Sequence, residues 1–139
     1  MGRGYNKLMA KHNELGETGE RVAANFLERK GYKILDRNYR KKWGEIDIVA
    51  EKGSKIYFVE VKSVSRGSFR GKFAEEGDRY RPEDNMHPWK LKRLGRAIQT
   101  YLLWKFPKNM PEWQLDLACV YLDMEKRVGK VRYIENIVL

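Results

Sequence analysis

The sequence predicts a single α/β domain, a mixed β-sheet flanked by helices in the order α-β-β-β-α-β-β. Three observations carry that expectation. A chain of 139 residues with 42% hydrophobic and 12% aromatic content suits one compact domain around one core, and is too little for two. Two segments place apolar residues at helical spacing, each ending at a glycine or a proline. The remaining apolar segments have strand character and pair off around short turns. The four prolines and twelve glycines exclude a collagen-like or Pro-rich disordered chain.

The first dozen residues, with Arg3, Lys7 and Lys11 spread along them, read as a flexible basic arm (1–12), and residues 13–139 as the folded domain. From Asn13 to Lys30, Leu15, Val22, Ala23, Phe26 and Leu27 recur at helical spacing, and Gly31 is a natural stop. A short strand is expected at Tyr32–Leu35, followed by a basic connection through Arg40-Lys41-Lys42-Trp43-Gly44. Segments Glu45–Ala50 and Lys55–Lys62 have strand character, and Glu51-Lys52-Gly53-Ser54 between them suits a hairpin turn. Ser63 to Pro88 reads as a long loop of the kind that carries function or is disordered. A second helix is expected from Trp89 to Phe106, stopped by Pro107, with Leu91, Leu94, Ile98, Tyr101 and Leu102 on one stripe. Strands Trp113–Leu122 and Val128–Ile137 close the chain as a second hairpin.

The chemistry concentrates in Asp47 and in Glu60-Val61-Lys62. Glu60 and Lys62, two apart on a strand, share a face. A hairpin centred on Lys52-Gly53 sets Asp47 opposite Phe58 and so diagonally beside Glu60. Glu60 lies in the otherwise apolar run Ile56-Tyr57-Phe58-Val59, where an isolated charge is costly. Two such carboxylates repel unless a cation lies between them, and a hard divalent ion is the natural candidate. On the first helix Glu20 falls on the rim of the buried stripe, from which it can reach the strand acids; Glu17, one turn earlier, is the alternative. The plain alternative for the whole set is a half-exposed ion pair, a surface aspartate and helix acids favoured by the dipole.

Asp47, a short spacer and Glu60-Val61-Lys62 resemble the D…ExK signature of the PD-(D/E)xK nucleases. The ordered set Gly16-Glu17-Thr18-Gly19-Glu20, Gly31-Tyr32, Arg37-Asn38, Gly44-Glu45-Ile46-Asp47 and Phe58-Val59-Glu60-Val61-Lys62 resembles, more specifically, the YraN-like family of endonucleases, which is similar to archaeal Holliday-junction resolvases. The resemblance implies a restriction-endonuclease-like core and a Mg²⁺ site (Mn²⁺ as the alternative) held by Asp47, Glu60 and the Val61 carbonyl. It gives Lys62 the attacking water and makes Glu20 the helix's contribution to the acidic site. The implied reaction is hydrolysis of phosphodiester bonds in DNA, branched or repair-intermediate DNA included. The alternative is a non-catalytic nucleic-acid-binding module that keeps the fold. After Lys62 the sequence departs from the family: Ser63 follows, and Phe69 matches the family's Phe-Gly pair only approximately.

The net charge of +10 points to a polyanionic partner, and the resemblance favours DNA. Arg40, Lys41 and Lys42 on one side of the site, and Lys90, Arg93 and Arg96 on the other, form its expected phosphate-binding rim. Trp43 and Trp89 border these groups and read as partly buried core residues ahead of base-stacking ones. His12 and His87 without a cysteine cluster do not make a zinc site. Cys119, the single cysteine, reads as a small core residue. No apolar run spans a membrane and no signal peptide is evident, so a cytoplasmic protein is expected, with a homodimer as one option for its oligomeric state.

Overall fold

A computed structural model describes residues 3–65 and 86–139. The order of elements is α1 (Arg3–Arg29), β1 (Lys33–Lys41), β2 (Gly44–Lys52), β3 (Lys55–Ser65), α2 (Pro88–Lys105), β4 (Glu112–Asp123) and β5 (Val128–Ile134). It is the α-β-β-β-α-β-β order read from the sequence. The five strands lie in the sheet in chain order, antiparallel except for the parallel pair β3 and β4. A parallel pair needs a crossover connection, and α2 lies in it.

The two helices cover opposite faces. Ala23, Ala24 and Leu27 of α1 pack with Ile48, Ala50, Val59, Ala118 and Val120. Leu94, Ala97, Ile98, Tyr101 and Leu102 of α2 pack with Ile46, Val49, Phe58 and Leu115. Each fully buried Leu or Ile among them contributes roughly 1.5–3 kcal/mol of transfer free energy. The α1 C-terminus closes as a Schellman motif: Gly31, at φ 92°, donates to Glu28 and Tyr32 donates to Leu27. At the start of α2, His87 Nδ1 accepts from the Trp89 N–H at 3.2 Å, with Pro88 in the first turn. Among the described residues no helix is long and apolar enough to cross a membrane.

Several expectations need correction. Helix α1 begins at Arg3, not Asn13, so the segment read as an arm is helical from Arg3; its Tyr5, Leu8 and Met9 stand at helical spacing, a signal that the basic residues among them masked. The basic connection after Leu35 is strand: β1 runs to Lys41, an edge strand whose charged residues blunt the sheet's rim. The β2–β3 hairpin turns on Gly53-Ser54, with Lys52 facing Lys55 and Gly53 at φ 64°, one residue later than expected. Strand β5 ends at Ile134, short of Ile137. The loop expected from Ser63 to Pro88 gives up its ends to β3 and α2, and its residues 66–85, Phe69 included, lie outside the described residues.

One irregularity shapes the site. Residues two apart on a strand share a face, yet Ile46 packs on the α2 side and Ile48 on the α1 side. The break falls at Asp47, where the ladder with β1 passes from Arg37–Ile48 to Tyr39–Ile46, and Asn38, between them, adopts φ 54°. Asparagine tolerates that left-handed conformation better than most residues.

Candidate active site

The ladder between β2 and β3 ends at Ile48 opposite Val59. Continuing the same register puts Asp47 opposite Glu60, directly across rather than diagonally, because the turn lies one residue later than expected. Because β2 changes face at Asp47, the two acids meet at the strand edge, not on one face: their carboxyls are hydrogen-bonded, Asp47 lines the α1-side cleft with Val61, and Glu60 pairs with Lys90 of α2. Asp47 Oδ2 accepts the Val61 N–H at 2.8 Å. The side chain thereby satisfies a backbone donor at the point where β2 and β3 part.

Glu60 is 6% exposed, and its Oε1 lies 2.8 Å from Lys90 Nζ at the start of α2. Burial and the neighbouring Asp47 charge push its carboxyl up to about 7, against the pull of Lys90. Burial also raises Asp47, with Glu45 adding to it; the Val61 N–H, the Lys90 charge and a hydrogen bond with Glu60 oppose that rise. Two carboxyls this close hold a proton between them more readily than two charges.

Glu20 approaches from α1. It lines a cleft of about 590 Å³ together with Gly16, Glu17, Asn38, Arg40, Asp47, Val61 and Ser63. Burial and the Asp47 charge raise its carboxyl, while Arg37, with Nε 3.7 Å from Glu20 Oε1, lowers it. That oxygen is buried and has no hydrogen-bond partner among the described residues. Glu17, exposed, stands at the rim of the same cleft. Of the two helix acids, Glu20 is the one in the field of Asp47.

Lys62 is half-buried on β3, beside Cys119 in the ladder, and strand alternation puts it on the Glu60 face. It is not among the residues that line the Glu20 cleft. The lysine brought to the carboxylates is instead Lys90, which the sequence placed in the phosphate rim. Among the other rim residues, Arg40 lines the cleft and pairs with Glu45 at 3.6 Å. Lys41 Nζ lies 5.3 Å from the Tyr39 ring centroid, and Arg93 Nε donates to the Trp43 carbonyl at 3.3 Å. Lys42 and Arg96 are exposed. Trp89 and Trp43 are 71% and 39% exposed, so the reading of both as partly buried core residues is corrected. They lie on α2 and in the β1–β2 turn, where the core does not reach. Cys119 is fully buried in β4, as expected of a small core residue.

Two glycines do work that the sequence did not reveal. A Cβ on Gly19 would collide with the Ser63 side chain, so only glycine lets α1 approach β3 beside Glu20. A Cβ on Gly44 would collide with the Arg93 backbone, so Gly44 does the same for β2 and α2. Their places inside Gly19-Glu20 and Gly44-Glu45-Ile46-Asp47 were the available signal: each precedes a site acid closely.

The donor chemistry fits magnesium. Among the described residues no three Asp, Glu, His or Cys side chains converge into a cage. Mg²⁺ is commonly held by one or two carboxylates with several waters, and Asp47 with Glu60 supplies such a pair. The buried Glu20 oxygen without a hydrogen bond gives a bound water or a cation's hydration shell an acceptor at the cleft wall.

Residues 19–123 match the family model described as "Uncharacterised protein family UPF0102". A UPF0102 protein of Wolinella succinogenes is 39% identical over 89% of this chain and 95% of its own length. One of Syntrophomonas wolfei is 36% identical over 90% of this chain and 97% of its own, and one of Alkaliphilus metalliredigens 38% over 88% and 95%. The matched span holds Glu20, Asp47, Glu60 and Lys62 together with both close-approach glycines. The chain belongs to the UPF0102 family, the YraN-like group that its motifs resemble.

Proposed function

We propose that this protein is a metal-dependent endonuclease that hydrolyses phosphodiester bonds in DNA. The observation that carries the proposal is the hydrogen-bonded pair Asp47 and Glu60 where β2 and β3 part, with Glu20 of α1 lining the Asp47 side of it; Glu60 itself is not among the residues of that cleft. A basic chain of net charge +10 that keeps an acidic, cation-seeking pocket is suited to cutting a polyanion, not merely holding it.

Asp47 and Glu60 would hold Mg²⁺ or Mn²⁺, with the Val61 carbonyl as the third protein ligand. When bound, the metal supplies Lewis acidity toward the phosphoryl oxygens and lowers the pKa of its water. The chain's residues do the rest. Lys62, on the Glu60 face, would orient the attacking water by donating a hydrogen bond to it. Glu20 accepts a hydrogen bond from water in the cleft and holds it against drift. Lys90, which neutralises Glu60 in the free protein, is released from that pairing and faces the phosphate. Arg40, Lys41, Lys42, Arg93 and Arg96 hold the backbone on either side. Cytoplasmic placement fits one buried cysteine and a DNA substrate.

The test is a panel of single-stranded, duplex and branched DNA incubated with Mg²⁺ or Mn²⁺. Cleavage by the wild type, lost in Asp47→Ala and in Glu60→Ala, is the expected result. Cleavage that persists unchanged in both variants removes these residues from the reaction. A second reading draws on the Lys90–Glu60 pair, which neutralises the site without metal. A non-catalytic DNA-binding module would then show salt-dependent binding, no cleavage and no metal requirement.

A further inference from the structure

Helix α2 carries Lys90, Lys92, Arg93, Arg96 and Lys105 and not one Asp or Glu. Its buried side is Leu94, Ala97, Ile98, Tyr101 and Leu102. At 3.6 residues per turn, Trp89, Arg93, Arg96, Thr100 and Trp104 fall together on a stripe roughly 80° wide, off the buried side. The β1–β2 edge lies against that stripe. Trp43 Nε1 donates to Thr100 Oγ1 at 3.2 Å and its carbonyl accepts from Arg93 Nε at 3.3 Å. Further along, Trp104 stacks on Tyr39 with ring centroids 6.2 Å apart and planes 23° from parallel. Lys41 and Lys105 lie 5.3 Å from the Tyr39 and Trp104 ring centroids. One end of the stripe is at the candidate site, since Lys90, beside Trp89, pairs with Glu60.

Large exposed aromatics need a reason in a soluble surface. Trp89 is 71% exposed, Trp104 61% and Trp43 39%, and all three lie on one line interleaved with cations. We infer that this stripe is the docking surface for an unpaired DNA strand leading out of the proposed cutting site. The inference rests on the proposed nuclease reading and adds a substrate class to it: DNA with a single-stranded segment next to the bond that is cut. Unpaired bases stack on indole faces, which bases inside a duplex cannot do, while the acid-free helix and Lys41 hold the phosphates. From Trp89 to Trp104 the helix rises about 22 Å, which spans about six nucleotides at the roughly 3.4 Å of a stacked strand. The cations between the indoles make the strip complementary to a polyanion and unlike the charge-depleted centre of a protein interface.

The test separates this docking from cleavage by measuring binding in EDTA, where no metal-dependent cutting occurs. Fluorescence anisotropy would compare a single-stranded DNA, a blunt duplex, a duplex with a single-stranded tail, and a single-stranded RNA. Expected are a preference for the single-stranded and tailed DNAs, quenching of tryptophan fluorescence by them, and about tenfold weaker binding of both in Trp89→Ala and Trp104→Ala. Gln99→Ala, exposed on another side of α2, keeps wild-type affinity. Circular dichroism and a thermal melt confirm that each variant is folded, the melt chiefly for Trp104→Ala, since that ring also packs edge-on against the buried Tyr101. Equal binding of single strand and blunt duplex, undiminished single-strand binding in both tryptophan variants, or stronger binding of RNA than of DNA would overturn the inference. So would a concentration-dependent dimer that Trp104→Ala dissociates, since a second copy would then own the stripe. Failure of the nuclease reading alone looks different: the single-strand preference persists in EDTA while no DNA in the cleavage panel is cut.

Discussion

Two groups of buried carboxylates lie in the same sheet and are supplied very differently. Asp116 of β4 is fully buried and accepts three hydrogen bonds, from Tyr133 OH at 2.5 Å, Gln114 Nε2 at 2.8 Å and the Asn136 N–H at 3.0 Å. Burial pushes its carboxyl up and those three donors pull it back. Glu60 is nearly as enclosed and Asp47 is half-buried, but the cationic support of the pair is one lysine whose side chain is 54% exposed. The Glu20 oxygen beside them has no hydrogen bond among the described residues. A buried acid with its donors in place is architecture: Asp116 ties β5 and the turn at Asn136, with φ 58°, back onto β4. A buried acid pair left short of donors retains a demand for positive charge, and such sites are where chemistry concentrates.

The sharpest way to break that comparison is to remove one acid from each group. Asp47→Ala is expected to lower metal-dependent DNA cleavage by about two to three orders of magnitude, the scale of several kcal/mol of lost charge stabilisation. It is expected to leave the fold intact: the donors it strands are the Val61 N–H, at the edge of a cleft that water reaches, and Glu60, which keeps Lys90 as a partner. Asp116→Ala should do the reverse. It strands the Tyr133 hydroxyl and the Asn136 N–H and leaves the Gln114 amide only its 3.4 Å bond to Glu135 Oε1, and is expected to cost roughly 3 kcal/mol of stability in denaturant unfolding. Cleavage per folded molecule should stay close to wild type. If Asp116→Ala loses activity without losing stability, the division between the two groups is wrong.

The sequence made one group legible and hid the other for a physical reason. Glu60 and Glu20 could be found because each is polar at a position whose periodicity points inward, and Asp47 because a turn misplaced by one residue still leaves it within reach of Glu60. The order of elements along the chain and the β2–β3 and β4–β5 hairpins followed from the same patterning, whereas the order of strands within the sheet did not. Lys90 could not be found as a partner of Glu60, since only the crossover connection from β3 to β4 delivers the start of α2 to that carboxylate. The face switch at Asp47 depends on the φ of 54° at Asn38, which no periodicity encodes. Asp116 sat within Leu115-Asp116-Leu117, but its donors come from positions 17 and 20 residues later in the chain as well as from Gln114.

A smaller effect sharpens the comparison through pH. Glu60 has its carboxyl raised from 4.5 to about 7 in the folded protein, so folding favours its protonated form. Its contribution is therefore fully present below about pH 4.5 and is lost as pH rises through about 7. Glu60→Gln fixes a neutral side chain of the same shape. It is expected to leave Tm nearly unchanged at pH 4.5 and to raise it at pH 8, by the equivalent of at most about 3 kcal/mol. A Tm gain that is the same at both pH values would show that ionisation of Glu60 is not what strains the site.

The smallest expected effect belongs to Lys90, and it tests whether the lysine or the proton is the real counter-charge of the pair. Lys90→Met keeps the helix-compatible stem and removes the ammonium 2.8 Å from Glu60 Oε1. Because half of the lysine side chain is in solvent, the pair is worth about 1 kcal/mol or less. Below about pH 4.5 Glu60 is protonated in the variant and the wild type alike, so the substitution should be close to neutral there. Above about pH 7 the wild type keeps the ammonium against an ionised carboxylate, whereas the variant must either bury that charge alone or keep the proton. Destabilisation should therefore appear only as pH rises, and the carboxyl of Glu60 should titrate above its wild-type value when followed by NMR. Asp116, with its own donors and no lysine in its hydrogen-bond set, should keep its titration unchanged in the same spectra. A Lys90→Met protein equally destabilised at pH 4.5 and pH 8 would mean that the lysine stem packs the start of α2 and that its charge is incidental.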